Sequence, residues 1–243
     1  MKDSNLLQEN TIWSFYETQN EIEKYQRRIE NFLVPILVER NVVKLLEVGC
    51  GNGRAAIKLN DLGYNIQGID PHFRDEISQK YSFLSKGSGL DLPFDDSAFD
   101  LSYSLEVIEH VGTEDGAIKI ALNYKDERKK FVKELCRVSR KYVVVATPNR
   151  LFPIDEQGGP LRFHSPFEKF TLSLNDLAEL FTENGFSQYQ CLSGVNYYEF
   201  ERIQKLFGNI GVSLSKILLK MAASKFLSKT PFVPHLFVMF IKG

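Results

Sequence analysis

The sequence predicts an α/β fold, a mostly parallel sheet covered by helices on both faces. Three observations predict it. Apolar strand-like runs alternate with helical periodicity at least four times along the chain. The runs at 42–48 and 142–146 are short and apolar, as strands buried on both faces are. The first of them ends in Gly49-Cys50-Gly51-Asn52-Gly53, three glycines in five residues, which is a strand running into a tight turn.

The elements follow in order. Ile22, Tyr25, Ile29, Phe32 and Ile36 recur at three- and four-residue steps with charge between them, so the first forty residues read as helix. Pro35 inside that pattern predicts a kink or an early stop. After the strand at 42–48, residues 54–62 have helical spacing, with Gly63 as a C-terminal cap. Residues 64–69 form a second strand, ending in Asp70-Pro71; residues 83–86 and 99–105 form a third and a fourth. Residues 119–138 read as helix, with Phe131, Leu135 and Val138 on one face. The strand at 142–146 is stopped by Pro148, and a loop rich in proline and glycine runs to about 172. A helix at 175–184 is closed by Gly185, and residues 187–193 and 236–241 are the last two strands.

Ile203, Phe207, Ile210, Leu214, Ile217 and Met221 step by four and three, an apolar helical stripe with Lys205, Lys216 and Lys220 off it. Gly208 and Gly211 are expected to break it into two helices. The stripe is expected to pack on the domain as a lid; the alternative is contact with an anionic membrane surface through 202–230. The organisation that results is an N-terminal helical cap at 1–41 and one domain at 42–243, with a helical insertion at about 199–230.

Composition bounds the function. The 243 residues are 43% hydrophobic and 25% charged, an ordinary globular balance. A formal net charge of −1 points to no polyanionic partner for the chain as a whole. The distribution is uneven: residues 202–243 hold one Arg, six Lys and no acidic residue, a formal +7, which leaves −8 elsewhere. That segment suits a phosphorylated substrate, a nucleic acid or a lipid surface, or is simply a solvated lysine face. Cys50, Cys136 and Cys191 show neither a disulfide framework nor zinc spacing, which fits a reducing compartment. Residues 1–5 lead into no apolar signal core, and no run approaches the ~20 apolar residues of a membrane span. The expected location is cytoplasmic, with peripheral membrane contact as the alternative. The sequence carries no signal of oligomeric state.

The glycine turn is the centre of the functional reading. Glycine lets a ligand approach the backbone. The dinucleotide fingerprint is G-x-G-x-x-G with a pyrophosphate at the helix N-terminus. This turn is G-x-G-x-G, and Glu47 stands just before it. A carboxylate there suits a cationic ligand, and S-adenosylmethionine carries a sulfonium and an ammonium and no phosphate. Asp70, at the end of the second strand, can accept from both ribose hydroxyls; otherwise it is a turn residue before Pro71. Asp91 in Gly89-Leu90-Asp91-Leu92-Pro93-Phe94 can accept from an adenine amino group.

Taken together, Leu-Glu-Val-Gly-Cys-Gly-Asn-Gly, Gly68-Ile69-Asp70, Asp91-Leu92-Pro93-Phe94 and Phe99-Asp100 followed by Leu105-Glu106-Val107-Ile108-Glu109-His110-Val111 resemble class I S-adenosylmethionine-dependent methyltransferases of the type 11 group, from about residue 44 to 186. The resemblance implies a Rossmann-like, seven-stranded, mostly parallel sheet with a reversed last strand. It implies that Glu47, Gly49, Gly51 and Gly53 line the methionine end, that Asp70 holds the ribose and that Asp91 with Leu92 meets the adenine, with Cys50, Asn52, Pro71 and Leu105 as further candidates for the cofactor site.

Glu106, Glu109 and His110 share a face if they lie on one helical turn, and could then hold Mg²⁺ or Mn²⁺. The Glu-x-x-Glu-His sequence is similar to the metal motif of ubiquinone-pathway O-methyltransferases and of small-RNA 3′-end 2′-O-methyltransferases. The RNA enzymes add a histidine from the loop after the fifth strand, a part that His164 is placed to play. Many type 11 members carry a similar pair without metal, where it shapes the site. Methyl transfer itself asks mainly for alignment and desolvation. An oxygen acceptor also needs its proton taken, and His110 and His164 are the candidate bases. The reading that results is O-methylation of a small molecule, lipid precursor or saccharide. The alternatives are RNA 2′-O-methylation and a non-catalytic cofactor-binding partner subunit.

Overall fold

The computed structural model describes residues 19–73, 79–114, 119–153, 171–197 and 201–243. Helix α1 spans Gln19–Glu39 and is followed by β1 (Lys44–Val48), α2 (Arg54–Asp61), β2 (Asn65–Asp70), β3 (Leu84–Lys86) and β4 (Phe99–Leu105). A 3₁₀ turn at Ile108–His110 leads to a small hairpin, β5 (Thr113–Glu114) and β6 (Lys119–Ile120). Then come α3 (Tyr124–Val138), β7 (Ser139–Pro148), α4 (Leu174–Thr182), β8 (Gln188–Cys191), α5 (Glu201–Met221), a 3₁₀ turn at Leu227–Lys229 and β9 (His235–Ile241).

Seven strands form one sheet in the order β3-β2-β1-β4-β7-β9-β8. β1, β2, β3, β4 and β7 run parallel, whereas β9 lies antiparallel between β7 and β8. The expected Rossmann-like sheet with a reversed last strand is therefore present. Its central strands are buried on both faces, which is why β7 and β9 read as continuous apolar runs rather than alternating ones. One face is covered by α1 and α2, through Ile29, Leu33, Leu37, Ala56 and Leu59. The other is covered by α3 and α4, through Phe131, Leu135, Leu177 and Phe181.

Two local expectations are corrected, and a third is met at one of its two glycines. Pro35 does not end α1, which continues to Glu39. The carbonyl that Pro35 cannot serve, that of Asn31, accepts instead from Asn196 Nδ2 at 3.4 Å, and Leu33, Ile36 and Leu37 hold the helix to the core. Residues 119–138 are not one helix: β6 comes first, and α3 starts at Tyr124 behind its N-cap Asn123. The expected break of α5 into two helices is present at Gly208, which leaves helical geometry at φ 61° and ψ −160°, while Gly211 lies within the second of them. The other boundaries lie within a few residues of expectation. Helix α4 opens on a capping box in which Ser173 Oγ takes the Asp176 N–H and Asp176 takes the Ser173 N–H. The three cysteines are free and buried.

Candidate functional site

β1, β2, β4, β7 and β9 bring the candidate residues to one end of the sheet. There β1 turns into α2 through Gly49–Gly53. The Gly49 N–H donates to Ile69 O at 2.8 Å, which ties the turn to β2. Gly49 is left-handed at φ 81°, and a Cβ there would collide with Val107. The turn after β4 is thus packed directly onto the glycine turn. Gly51 is also left-handed, at φ 55°, but a Cβ there would meet nothing within 4 Å. Its backbone faces open space that a ligand can approach.

Asp70 closes this cradle. Its Oδ2 accepts from the Gly51 N–H at 2.9 Å and its Oδ1 from the His72 N–H at 2.8 Å. Each oxygen keeps a further lone pair, the requirement for holding two ribose hydroxyls. Pro71 follows, exposed. Glu47 is buried below the turn, and its Oε2 has no hydrogen-bond partner among the described residues. Burial pushes its carboxyl up to about 8, against the lowering effect of the Tyr103 hydroxyl. A buried orphan carboxylate oxygen fits a cationic ligand group. Cys50 is different. Its side chain lies in the core beneath Gly68, so only its backbone belongs to the turn, and burial pushes its thiol up.

Asp91 is exposed and Leu92 buried, on the segment between β3 and β4. Helix α3 holds that segment through a pair that sequence reasoning missed. Glu134 Oε2 accepts the Leu92 N–H at 2.8 Å. Arg137 donates to Leu92 O at 2.9 Å, to Phe94 O at 2.7 Å and to Asp96 at 2.9 Å, and it pairs with Glu134 at 2.7 Å. Arg137→Ala leaves these acceptors unserved. It is expected to cost about 2 kcal/mol of stability, from lost hydrogen bonds to a charged group, and to weaken cofactor binding; urea unfolding and a cofactor titration read the two effects. Unchanged values in both would dismiss the pinning role.

The second half of the site follows β4. Leu105 ends the strand, buried, and Glu106 breaks it at φ 58°, with its N–H donated to Ala146 O at 2.9 Å. Glu106 is therefore not on a helical turn with Glu109 and His110; only Ile108–His110 form a turn, of 3₁₀ type. The expected sharing of one helical face is corrected on this point. Among the described residues, no group of three His, Cys, Asp or Glu side chains is placed to hold a metal ion. His164 lies outside the described residues.

What tertiary structure does assemble is a polar cluster over the sheet end. Glu109 is buried and its Oε2 accepts from Thr147 Oγ1 of β7 at 2.9 Å. Burial, and after it the neighbouring Glu106 charge, raise its pKa. His110 Nε2 stands 4.0 Å from Glu109 Oε1, and burial lowers the His110 pKa. Buried Arg128 of α3 anchors this turn, donating to Glu109 O at 3.1 Å and Val111 O at 3.2 Å. His235, the first residue of β9, is buried with Nε2 3.4 Å from Glu106 Oε2. Tyr25 of α1 and Tyr197 after β8 both feel the charges of Glu47 and Glu106, and Arg28 Nε donates to Tyr197 O at 2.5 Å. His235, Arg128 and Tyr197 carried no recognisable spacing, and Tyr25 was legible only as a member of the apolar stripe of α1. The other legible signal was a histidine at the start of a predicted strand.

Residues 46–146 match the family model described as a methyltransferase domain, type 11. A Mycolicibacterium smegmatis protein described as a "Probable S-adenosylmethionine-dependent methyltransferase" is 28% identical over 150 residues. Residues 46–146 are therefore a methyltransferase domain. The aligned part is 58% of the chain and 51% of that relative, so the chain spans about half the relative's length. The Aspergillus sclerotiorum O-methyltransferase resE is 25% identical over 202 residues, covering 74% of this chain and 71% of the fungal protein. The magnesium protoporphyrin IX methyltransferase of Synechocystis, solved with bound S-adenosylhomocysteine, superposes with a TM-score of 0.51 at 13% identity. The match covers 99% of this chain and 95% of the Synechocystis chain, which shows a shared fold.

Proposed function

We propose that the protein methylates an oxygen atom of a small-molecule or lipid-like acceptor, with Glu47, Gly49, Gly51, Asn52, Gly53, Asp70, Pro71, Asp91, Leu92 and Leu105 around the cofactor. The observation that carries the oxygen acceptor is the cluster of His110, Glu109, Glu106 and His235 beside the glycine turn. When bound, S-adenosylmethionine would supply a sulfonium methyl group for transfer to the acceptor oxygen, with S-adenosylhomocysteine as the displaced thioether. This chain's residues then have two tasks, to align the oxygen and to take its proton.

His110 is the base in this reading. Its lowered pKa keeps the imidazole neutral at pH 7, ready to accept a proton. Glu106, paired with His235, orients the acceptor hydroxyl as a hydrogen-bond acceptor. Tyr25 and Tyr197 restrict entry from the α1 side. Divalent metal chemistry is not routed through this cluster, because Glu106 lies off the turn that carries Glu109 and His110. His164 keeps its place only as a candidate second base or ligand.

Radiolabelled methyl transfer from S-adenosylmethionine into cell extract tests the reading. Label is expected in the lipid or small-molecule fraction, in base-stable ether linkage. Label confined to RNA, or no label at all with intact cofactor binding, would contradict it.

A further inference from the structure

We propose that the 202–232 segment docks the protein on the surface of an anionic lipid bilayer. The lid expectation fails first. Phe207 is 70% exposed, Ile210 84%, Leu214 58% and Ile217 56%, so the stripe faces away from the domain. The second half of α5 is held instead by Leu219 and Ala222, which are buried. The chain after α5 extends the same character, with Phe226 and Phe232 exposed at 77% and 60%. An exposed contiguous run of large apolar side chains on a single segment marks an interaction surface.

Charge selects the occupant. Lys216, Lys220, Lys225 and Lys229 are exposed between and beside these apolar residues. No acidic residue occurs from Arg202 to the C-terminal Gly243. Apolar side chains flanked by lysines suit the interface of a bilayer, where the rings and aliphatic chains enter the acyl boundary and the ammonium groups meet lipid phosphates. A second copy of the chain would bring the same lysines against these. A nucleic acid would meet the lysines but would leave Ile210, Leu214 and Ile217 with no apolar partner. No helix among the described residues is long and apolar enough to cross a membrane, so the contact lies in the interface plane. Phe232, the last exposed apolar residue of the segment, lies three positions before His235, which pairs with Glu106.

Co-sedimentation of the full chain tests the docking without any need for methyl transfer. Vesicles of phosphatidylcholine alone are compared with vesicles that also contain phosphatidylglycerol, at low and high salt. The protein is expected to pellet with the anionic vesicles, less so as salt rises, and to stay in solution with phosphatidylcholine. Phe207→Ser with Ile210→Ser, and separately Lys216→Glu with Lys220→Glu, are each expected to weaken binding at least tenfold. Because all four side chains are exposed, the melting temperature and cofactor affinity should not change. No pelleting with anionic vesicles would overturn the proposal. So would binding that neither double variant weakens, retention on RNA in place of vesicles, or a dimer that Phe207→Ser with Ile210→Ser abolishes.

Discussion

Glu47→Gln is expected to weaken S-adenosylmethionine binding at pH 8 by about 2 kcal/mol, close to thirtyfold, and to flatten its pH dependence. In the ligand-free protein Glu47 is buried, and its carboxyl is pushed from 4.5 up to about 8. It therefore carries a proton at neutral pH. A ligand with an ammonium and a sulfonium favours the ionised form, so binding below pH 8 releases that proton. Affinity should rise from about pH 6 to pH 8 and level off above. Calorimetry in buffers of different ionisation heat counts the proton; identical heats in every buffer would sink the role given to Glu47.

Stability has the opposite pH trend. The folded pKa lies above the unfolded value, so this group's contribution is complete below about 4.5 and is lost as pH rises through about 8. Glu109 is shifted in the same direction by burial and by Glu106, and acts with it. The melting temperature of the ligand-free protein should fall between those limits, and the gain on adding S-adenosylmethionine should widen. Glu47→Gln should make both trends shallower.

His110→Ala is expected to lower kcat by about 10²- to 10⁴-fold, the usual worth of a positioned general base, with little change in cofactor affinity. The side chain is on the acceptor side of the turn that packs Val107 onto Gly49, not on the cofactor cradle. Since burial lowers its pKa, the acid limb of kcat should fall below the ordinary histidine value of 6.5 and vanish in the variant. Glu106→Gln keeps the size of the side chain but removes the charge that faces His235. It should raise KM for the acceptor more than Glu47→Gln does, while leaving cofactor binding near normal. Near-normal turnover by His110→Ala would withdraw the base assignment from His110.

The strand and helix order was legible because each element's periodicity is local, and the glycine turn was legible for the same reason. Gly49 to Gly53 is contiguous, and Asp70 ends the strand that β1 pairs with. The turn chemistry that glycine permits is written in those residues themselves. The reading failed where packing outweighed local preference. α1 runs through Pro35 because Asn196, distant in sequence, serves the freed carbonyl. Residues 119–120 leave the helix to pair with β5, a pairing that helical spacing at Phe131 and Leu135 could not reveal.

By itself, the sequence determined a glycine turn between a strand and a helix, with Glu47 before it and Asp70 after it, because backbone conformation and carboxylate placement there depend on near neighbours. Tertiary structure alone decided what surrounds the acceptor. The strand order β4-β7-β9 brings Thr147 to Glu109 and His235 to Glu106 across 38 and 129 positions of chain. It alone also decided that the α5 stripe faces outward. Periodicity says that a helix has an apolar face; only the position of Leu219 and Ala222 against the domain says that Phe207, Ile210, Leu214 and Ile217 are turned away from it.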